Sequence, residues 1–343
     1  MYIPQPEQYF EKYTYTKIES KTMDRLDVPS IHIHNLKFKN IDSTDVIFIP
    51  GRSFITVPAP PYYHSMIDTI GYFELLKEQY PDISLVFCSR DKHNEFKKHM
   101  RLKSDYVNFL LNLYSLPNSV WDIYDIKLQN LHFEEVVFLP NQSVKYQNRL
   151  LPREFQDSVG EFDWDTCFKI RLDAAKKLKE KILPLLTKKE TKNKIYSARK
   201  QYNKNLTYQD TSRIFSEEDD LIEYFKNLNY EIVSLETMDV LDQLNLFYNA
   251  SHIAGLKGSN IFGSIFSDPN TEVIQIYNSN FWRYALEDYF NIFELKVIDI
   301  AKEEAAELPF DPDTPLLSSK IIIEKLDEYF NNPAPPIGFE PTT

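Results

Sequence analysis

"YEIVSLETMDVLDQLNLFYNASHIAGLKGSNIFG", residues 230–263, decides the fold by the order of its residue types. "YEIVSL" is a short β-rich run, "DVLDQLNLFYNA" has apolar residues at helical spacing, and "SHIAG" returns to strand. Three of the seven glycines in the chain then crowd into residues 255–263. Glycine loses more backbone entropy on folding than any other residue, so such crowding marks a place where the chain must bend or let something come close.

A turn between a strand and a helix lies at the carboxyl edge of a parallel sheet, where open α/β sheets take their ligands. Small residues there turn main-chain N–H groups outward, and a helix N-terminus adds partial positive charge; together they suit a diphosphate. In "GLKGSN", Gly255 and Gly258 supply the backbone freedom, Ser259 caps the helix and donates to a phosphate oxygen, and Lys257 neutralises charge. A tight turn with a glycine in the left-handed region and a serine N-cap explains the same residues without a ligand. The spacing is neither that of a Walker loop nor the G-x-G-x-x-G of dinucleotide folds.

Outward from this stretch the same logic repeats. Before it come "KIYSAR" (194–199, strand) and "SEEDDLIEYFKNLN" (216–229, helix); after it come "SNIFGSIF" (helix) and "TEVIQIY" (271–277, strand). Elements of this length and order make a Rossmann-like unit. A first series precedes it: "DVIFIPG" (45–51), the helical "YYHSMIDTIGYFELLKEQYPD" (62–82), "ISLVFCS" (83–89), further helix, and "EEVVFLP" (134–140). Strands alternating with helices imply parallel sheets covered on both faces. The expected division is an N-terminal Rossmann-like domain at 1–165, a second Rossmann-like domain at 166–310, and a helix with a Pro-rich tail at 311–343. "DTCFKIRLDAAKKLKEKILPLL" opens the second of these as a strong amphipathic helix.

Composition narrows the class. The chain has 343 residues, a formal net charge of −12, and 14 % aromatic residues, which is a globular composition poorly suited to nucleic acid. Its two cysteines, Cys88 and Cys167, make neither a zinc site nor a disulfide framework. No run approaches the roughly 18 apolar residues of a membrane span. N-x-S/T sequons occur at Asn141, Asn205 and Asn249; with no export signal at the N-terminus they read as chance. The expected compartment is cytoplasmic, with at most a peripheral membrane association. The oligomeric state is left open.

Two further clues share the sheet edge with the glycine turn. Arg199 and Lys200 directly follow the "KIYSA" strand, and Arg213 immediately precedes a helix. A guanidinium fork is a good partner for phosphate oxygens, whereas any one of these taken alone is an ordinary surface cation.

Together these segments resemble the signature half of the family 61 glycosyltransferases. Arg199, Arg213, Glu236, Gln243, the "GLKGSN" turn and "PNTEVIQIY" fall where that family has an I-S-R-type strand end and an R-x-[IL]-x-N-E-E-x-L helix start. The family then has a glutamate after the next strand, an E-Q-x-x-L-F helix, a G-x-H-G-A-G-L-x-N turn and a P-G-[TS]-x-V-[IV]-E-[IL] strand. "PPYYHSMIDTIGYFELL" resembles its N-terminal helix. The resemblance covers roughly residues 45–300. It implies a GT-B architecture of two Rossmann-like, doubly wound domains facing a cleft. It also implies inverting transfer from a nucleotide sugar, a UDP-sugar first of all, with no cofactor and no obligatory metal. The acceptor is then a glycan, a lipid-linked sugar or a protein, and the new bond a β-linkage. This chain departs from the pattern in having Lys257 for the usual His, Ser259–Asn260 for a small A-G pair, and "TIG" for "x-L-P".

Inverting transfer needs a base for the acceptor hydroxyl and stabilisation of the leaving diphosphate. His64 and Asp68 are four apart on one helix and so share a face, with one expected to act as base and the other to orient it; Glu74 is the poorer candidate. On the donor side, Arg199, Lys200, Lys257 and the Ser259 and Asn260 amides are expected to hold the diphosphate, with Arg213 a further contact. Glu236 is expected to accept from the ribose hydroxyls. "HIH" (32–34) lacks a third metal ligand, "DPD" (311–313) sits among prolines, and Trp282 and Tyr284 serve core packing as readily as a sugar. The rival expectation is a nucleotide-sugar or glycan-binding protein of the same fold without the chemistry.

Overall fold

The computed structural model describes residues 12–23, 28–39, 46–56, 66–89, 109, 112–115, 121–122, 130–139, 164–190, 192–199, 215–258, 260–280, 286–308 and 316–331. The chain divides into two compact units, Met1–Leu185 and Leu186–Thr343.

Among the described residues, the first unit holds strands β1 (Lys12–Thr14), β2 (Lys17–Met23), β3 (Val28–Lys39), β4 (Val46–Thr56), β5 (Ser84–Ser89), β6 (Trp121–Asp122) and β7 (Asn130–Phe138). A π-helical turn, Ile67–Gly71, leads into helix α1 (Tyr72–Gln79), and helix α2 (Trp164–Ile182) closes the unit. The sheet order is β1-β3-β7-β4-β5-β6, with β2 also pairing β3. β3 runs antiparallel to β1, β2 and β7, while β7, β4, β5 and β6 are parallel. The sheet is therefore mixed, extended by antiparallel strands over 12–39 that the strand–helix rhythm of the sequence does not announce.

"DVIFIPG" does not stop at its glycine. β4 continues to Thr56 through a register shift between Ile49 and Arg52, where Gly51 takes φ +71°. A glycine in the left-handed region absorbs the extra residue of a bulge and lets the ladder resume.

Helix α2 buries Ile170, Ala174, Ala175, Leu178 and Ile182, the spacing of one helical stripe. It packs on the π-turn and α1. Gly71 makes the contact feasible, because a Cβ there would stand 2.3 Å from the Ala174 carbonyl oxygen. These contacts place α2 in the first unit, so the division falls at Leu185/Leu186 rather than at 165/166.

The second unit contains β8 (Asn193–Ser197), α3 (Glu218–Asn227), β9 (Glu231–Val233), α4 (Val240–Tyr248), β10 (Ala250–Leu256), β11 (Glu272–Ile276), α5 (Leu286–Ile292), β12 (Lys296–Ile300), α6 (Lys302–Ala306) and α7 (Ser319–Asn331). Among the described residues its sheet has five strands, paired in parallel throughout in the order β12-β11-β10-β8-β9. One face carries Tyr196, Ala254, Leu256, Ile274, Ile276 and Ile300 against Leu221, Ile222 and Phe225 of α3 and Ile322 and Leu326 of α7. Ile195, Ile253 and Val273, one residue out of step, are buried on the opposite face. A sheet covered on both sides reads as apolar-rich runs, as the central strand β10 does from Ile253 to Leu256.

The acidic start of α3 has a second task. Glu217 accepts from the Ser319 N–H (2.7 Å) and hydroxyl (2.8 Å), and Asp220 accepts from the same hydroxyl (2.5 Å). Two carboxylates thus cap the N-terminus of α7 and fix it to the unit's core. Asn249 is similarly engaged: it accepts from the Lys189 N–H and donates to the Thr187 and Asn245 carbonyls. This sequon asparagine is a buried tie for the segment that enters the unit.

Candidate functional site

Counted within the second unit, the strand order is 2-1-3-4-5, so direction reverses between β8 and β10. In open α/β sheets the crevice outside the carboxyl ends of the strands at such a reversal is the ligand position. Two features stand there: Arg199, two residues beyond β8, and the glycine turn that ends β10.

The structure shows why the turn needs its glycines. At Gly255 a Cβ would meet Ile261 Cγ2 at 2.9 Å, Asn260 Nδ2 at 3.0 Å and the Ser197 carbonyl at 3.2 Å. Gly258 has φ +147°, and a Cβ there would stand 2.4 Å from Arg199 Nη2. That nitrogen donates to the carbonyls of Leu256 (3.3 Å) and Lys257 (3.1 Å) and to Asn260 Oδ1 (2.5 Å). Asn260 returns its amide to the Ser197 carbonyl (3.2 Å), and Ser197 Oγ donates to the Asn260 carbonyl (3.3 Å). The close approach expected of a phosphate is made by a guanidinium of the same chain. A carbonyl face of the turn meets Arg199. The helix expected after the turn is one buried 3-10 turn, Phe262–Phe266, too short to supply a dipole of consequence.

Arg199 is itself set by the main chain, its N–H donating to Glu218 Oε1 at 2.9 Å. Burial, and then the neighbouring Glu218, push the hydroxyl of fully buried Tyr196 well above its ordinary range.

Lys257 does not face solvent. Its side chain is 5 % exposed, and Nζ donates to Glu287 Oε1 and to the Tyr277 hydroxyl, each at 2.8 Å. Tyr277 in turn donates to Glu287 at 2.6 Å and to Asp299 at 3.3 Å. Lys302 binds Asp299 at 2.6 Å and lies 3.8 Å from Glu287. Burial alone would raise the Glu287 carboxyl; hydrogen bonds from Lys257 and Tyr277 outweigh it and hold the group below the ordinary carboxylate range. The expectation that the Lys257 ammonium neutralises a diphosphate meets a cation already compensated inside the protein. Glu287, Tyr277, Asp299 and Lys302 escaped the sequence reading because they come together only through the adjacency of β10, β11 and β12.

Glu236 lies in the 3-10 turn Leu235–Thr237 after β9. Gln243 of α4 braces that turn, its amide donating to the Leu235 (2.9 Å) and Met238 (3.0 Å) carbonyls. Asp68 is the second residue of the π-turn, a helical irregularity frequent at functional sites. Glu74 is engaged by the Tyr114 hydroxyl (2.9 Å) and Lys181 (3.5 Å). His64, Lys200, Arg213, Ser259, Trp282, Tyr284 and the "DPD" segment lie outside the described residues.

The first unit has a polar cluster of its own. Buried His32 pairs through Nδ1 with Glu135 (2.6 Å), while Nε2 meets the Tyr80 hydroxyl (3.2 Å) and Ser30 Oγ (3.0 Å). Arg52 donates to Glu135 (3.0 Å) and lies over the Tyr80 ring at 4.3 Å. His34 of the same "HIH" pairs with Glu19 instead (3.2 Å).

Among the described residues, no helix is long and apolar enough to cross a membrane. The family profile described as Glycosyltransferase 61 matches residues 62–274. A comparison with curated proteins finds no match. Among solved structures, the E. coli heptosyltransferase WaaC with ADP-2-deoxy-2-fluoro heptose is similar at 9 % identity, covering 81 % of this chain and 99 % of that one, with a TM-score of 0.37. The same enzyme with ADP is similar at 10 % identity with the same coverage and a TM-score of 0.36. At this level of similarity the two place no residue in this chain.

Proposed function

Because the chain belongs to the Glycosyltransferase 61 family, we propose that it is an inverting glycosyltransferase that needs no metal ion. Its donor is a sugar nucleotide, UDP-linked first of all, and its acceptor a glycan, a lipid-linked sugar or a protein.

One observation carries the donor site: Arg199 and the glycine turn stand together at the strand-order reversal between β8 and β10. The diphosphate is assigned to this crevice, with Arg199, Lys200, Arg213 and the main chain of Ser259 and Asn260 as its partners. Arg199 has two roles in this reading, clasping the turn and lending it positive charge. Lys257 serves as an anchor of the turn, its N–H, carbonyl and ammonium all being engaged within the unit. Glu236, on the turn that Gln243 braces, accepts from the ribose hydroxyls.

The chemistry requires one proton acceptor. Of His64 and Asp68, one takes the proton of the acceptor hydroxyl and the other orients it. The freed oxygen attacks the anomeric carbon opposite the leaving nucleoside diphosphate, the glycosidic bond to phosphate breaks, and the configuration inverts to a β-linkage. Charge building on the diphosphate is met by fixed cations and amides, which need no reorganisation at that moment.

A thermal-shift screen against UDP, GDP, ADP and their sugars, with and without a chelator, tests the reading. A donor that stabilises the chain equally in chelator, and is slowly hydrolysed, supports it. Binding without hydrolysis or transfer points to the alternative, a non-catalytic nucleotide-sugar or glycan-binding protein of the same fold, and no stabilisation by any nucleotide overturns the donor site.

A further inference from the structure

Lys257 is pinned at three points. Its N–H donates to the Ile276 carbonyl (2.8 Å), its carbonyl accepts from Arg199, and its ammonium is held by Glu287 and Tyr277. Of these anchors, only Glu287 brings a compensating charge into contact with the ammonium. A buried ammonium stripped of its counter-charge is strongly disfavoured, so Lys257 stays inside because Glu287 meets it there. The next residue is Gly258, whose φ of +147° and missing Cβ give the chain no side-chain anchor of its own. Gly258 is flanked by two held residues: Lys257 before it, and Asn260, with its bonds to Ser197 and Arg199, two residues on.

Glu287 sits in the first turn of α5, outside the family match and outside the motifs of the turn. Its carboxylate is the centre of an alternating set, Lys257, Glu287, Lys302 and Asp299, whose charges sum to zero. Such a set supplies no net attraction for an anion, but it fixes geometry. We infer that Glu287 is a positioning residue for the turn: by holding Lys257 it sets the main chain of Lys257 and Gly258 at the sheet edge. It thereby tunes the affinity for a nucleoside diphosphate that it does not touch. The ligand in this statement rests on the proposed function; the hold on the turn does not.

The full-length chain and its Glu287→Gln, Glu287→Asp and paired Lys257→Met/Glu287→Leu variants test this in two measurements. In the ligand-free protein, Glu287→Gln is expected to speed hydrogen exchange across 257–261 by about tenfold, the size of one lost charge-assisted bond, with Glu287→Asp restoring much of the protection. In turnover, Glu287→Gln is expected to raise the donor KM by about tenfold while kcat stays within about twofold, because an interaction made equally in ground and transition state has been weakened. Unchanged exchange in 257–261 in a folded Glu287→Gln protein overturns the inference. So does a fall in kcat with the KM unmoved. If Glu287→Gln does not fold, the paired variant decides: a folded chain with a loosened turn supports the inference, and a native turn overturns it. If the wild-type chain takes up no UDP, GDP or ADP while exchange rises in the variant, the donor reading has failed and the hold of Glu287 on the turn stands.

Discussion

Arg199 and Gly258 share one space: the guanidinium nitrogen Nη2 occupies a position 2.4 Å from where a Cβ of residue 258 would stand. Gly258→Ala therefore forces the clasp open and places an alanine at φ +147°. It is expected to cost about 1–3 kcal/mol of stability and to remove nucleotide stabilisation. Thermal melts with and without UDP measure both effects in one experiment.

Arg199→Ala leaves the Leu256 and Lys257 carbonyls and Asn260 Oδ1 without their common donor. The expected loss is about 2 kcal/mol, with faster hydrogen exchange over 255–261. Arg199→Lys retains the charge but not the planar fork, and is expected to recover less than half of that loss.

Asn249→Ala cuts the tie to Thr187, Lys189 and Asn245. A loss of about 2 kcal/mol is expected, read as a lower melting temperature together with exposed amides at 187–189. The same bonds make Asn249 a poor glycan acceptor in the folded chain, so mass spectrometry of protein from a glycosylating host should find this sequon bare.

His32 gives the first unit a dependence on pH. Burial holds its imidazole below the ordinary 6.5, outweighing the hydrogen bond and charge of Glu135, with Lys21 and Arg52 lowering it further. A group whose folded value is depressed contributes stability that is whole above 6.5 and is lost as pH falls toward the folded value. The melting temperature should drop between about pH 7.5 and about pH 5.5. In His32→Gln the drop should become shallower, because position 32 then takes up no proton on unfolding, while His132 and His252, also held below the ordinary value by burial, still do.

The parallel sheet of the second unit was legible because strands buried on both faces leave short apolar-rich runs, as "IAGL" in β10 and "VI" with Ile276 in β11. β12 was not, since "KVIDI" is five residues long, alternates, and carries neither glycine nor proline at its ends. The antiparallel β2 hides for a similar reason: "KIESKTM" is mostly polar, and only its pairing with β3 defines it. At the site, the sequence told where glycine is required but not what approaches it. A bare backbone position looks the same whether a phosphate or an arginine fills the space, and the arginine lies 59 residues away along the chain. The Lys257–Glu287 contact spans 30 residues and follows no motif spacing, so only the ordering of strands reveals it.

The capping of α7 by Glu217 and Asp220 links the beginning of this sheet unit to its far end. During translation, the partner that seals the flank of α3 emerges about a hundred residues after α3 itself. Until Asn331 has cleared the ribosome, Leu221, Ile222 and Phe225 wait beside apolar strands with part of their cover still missing. This half of the protein thus has a late-closing seam, and a nascent chain halted before that helix is the form a holdase chaperone would meet.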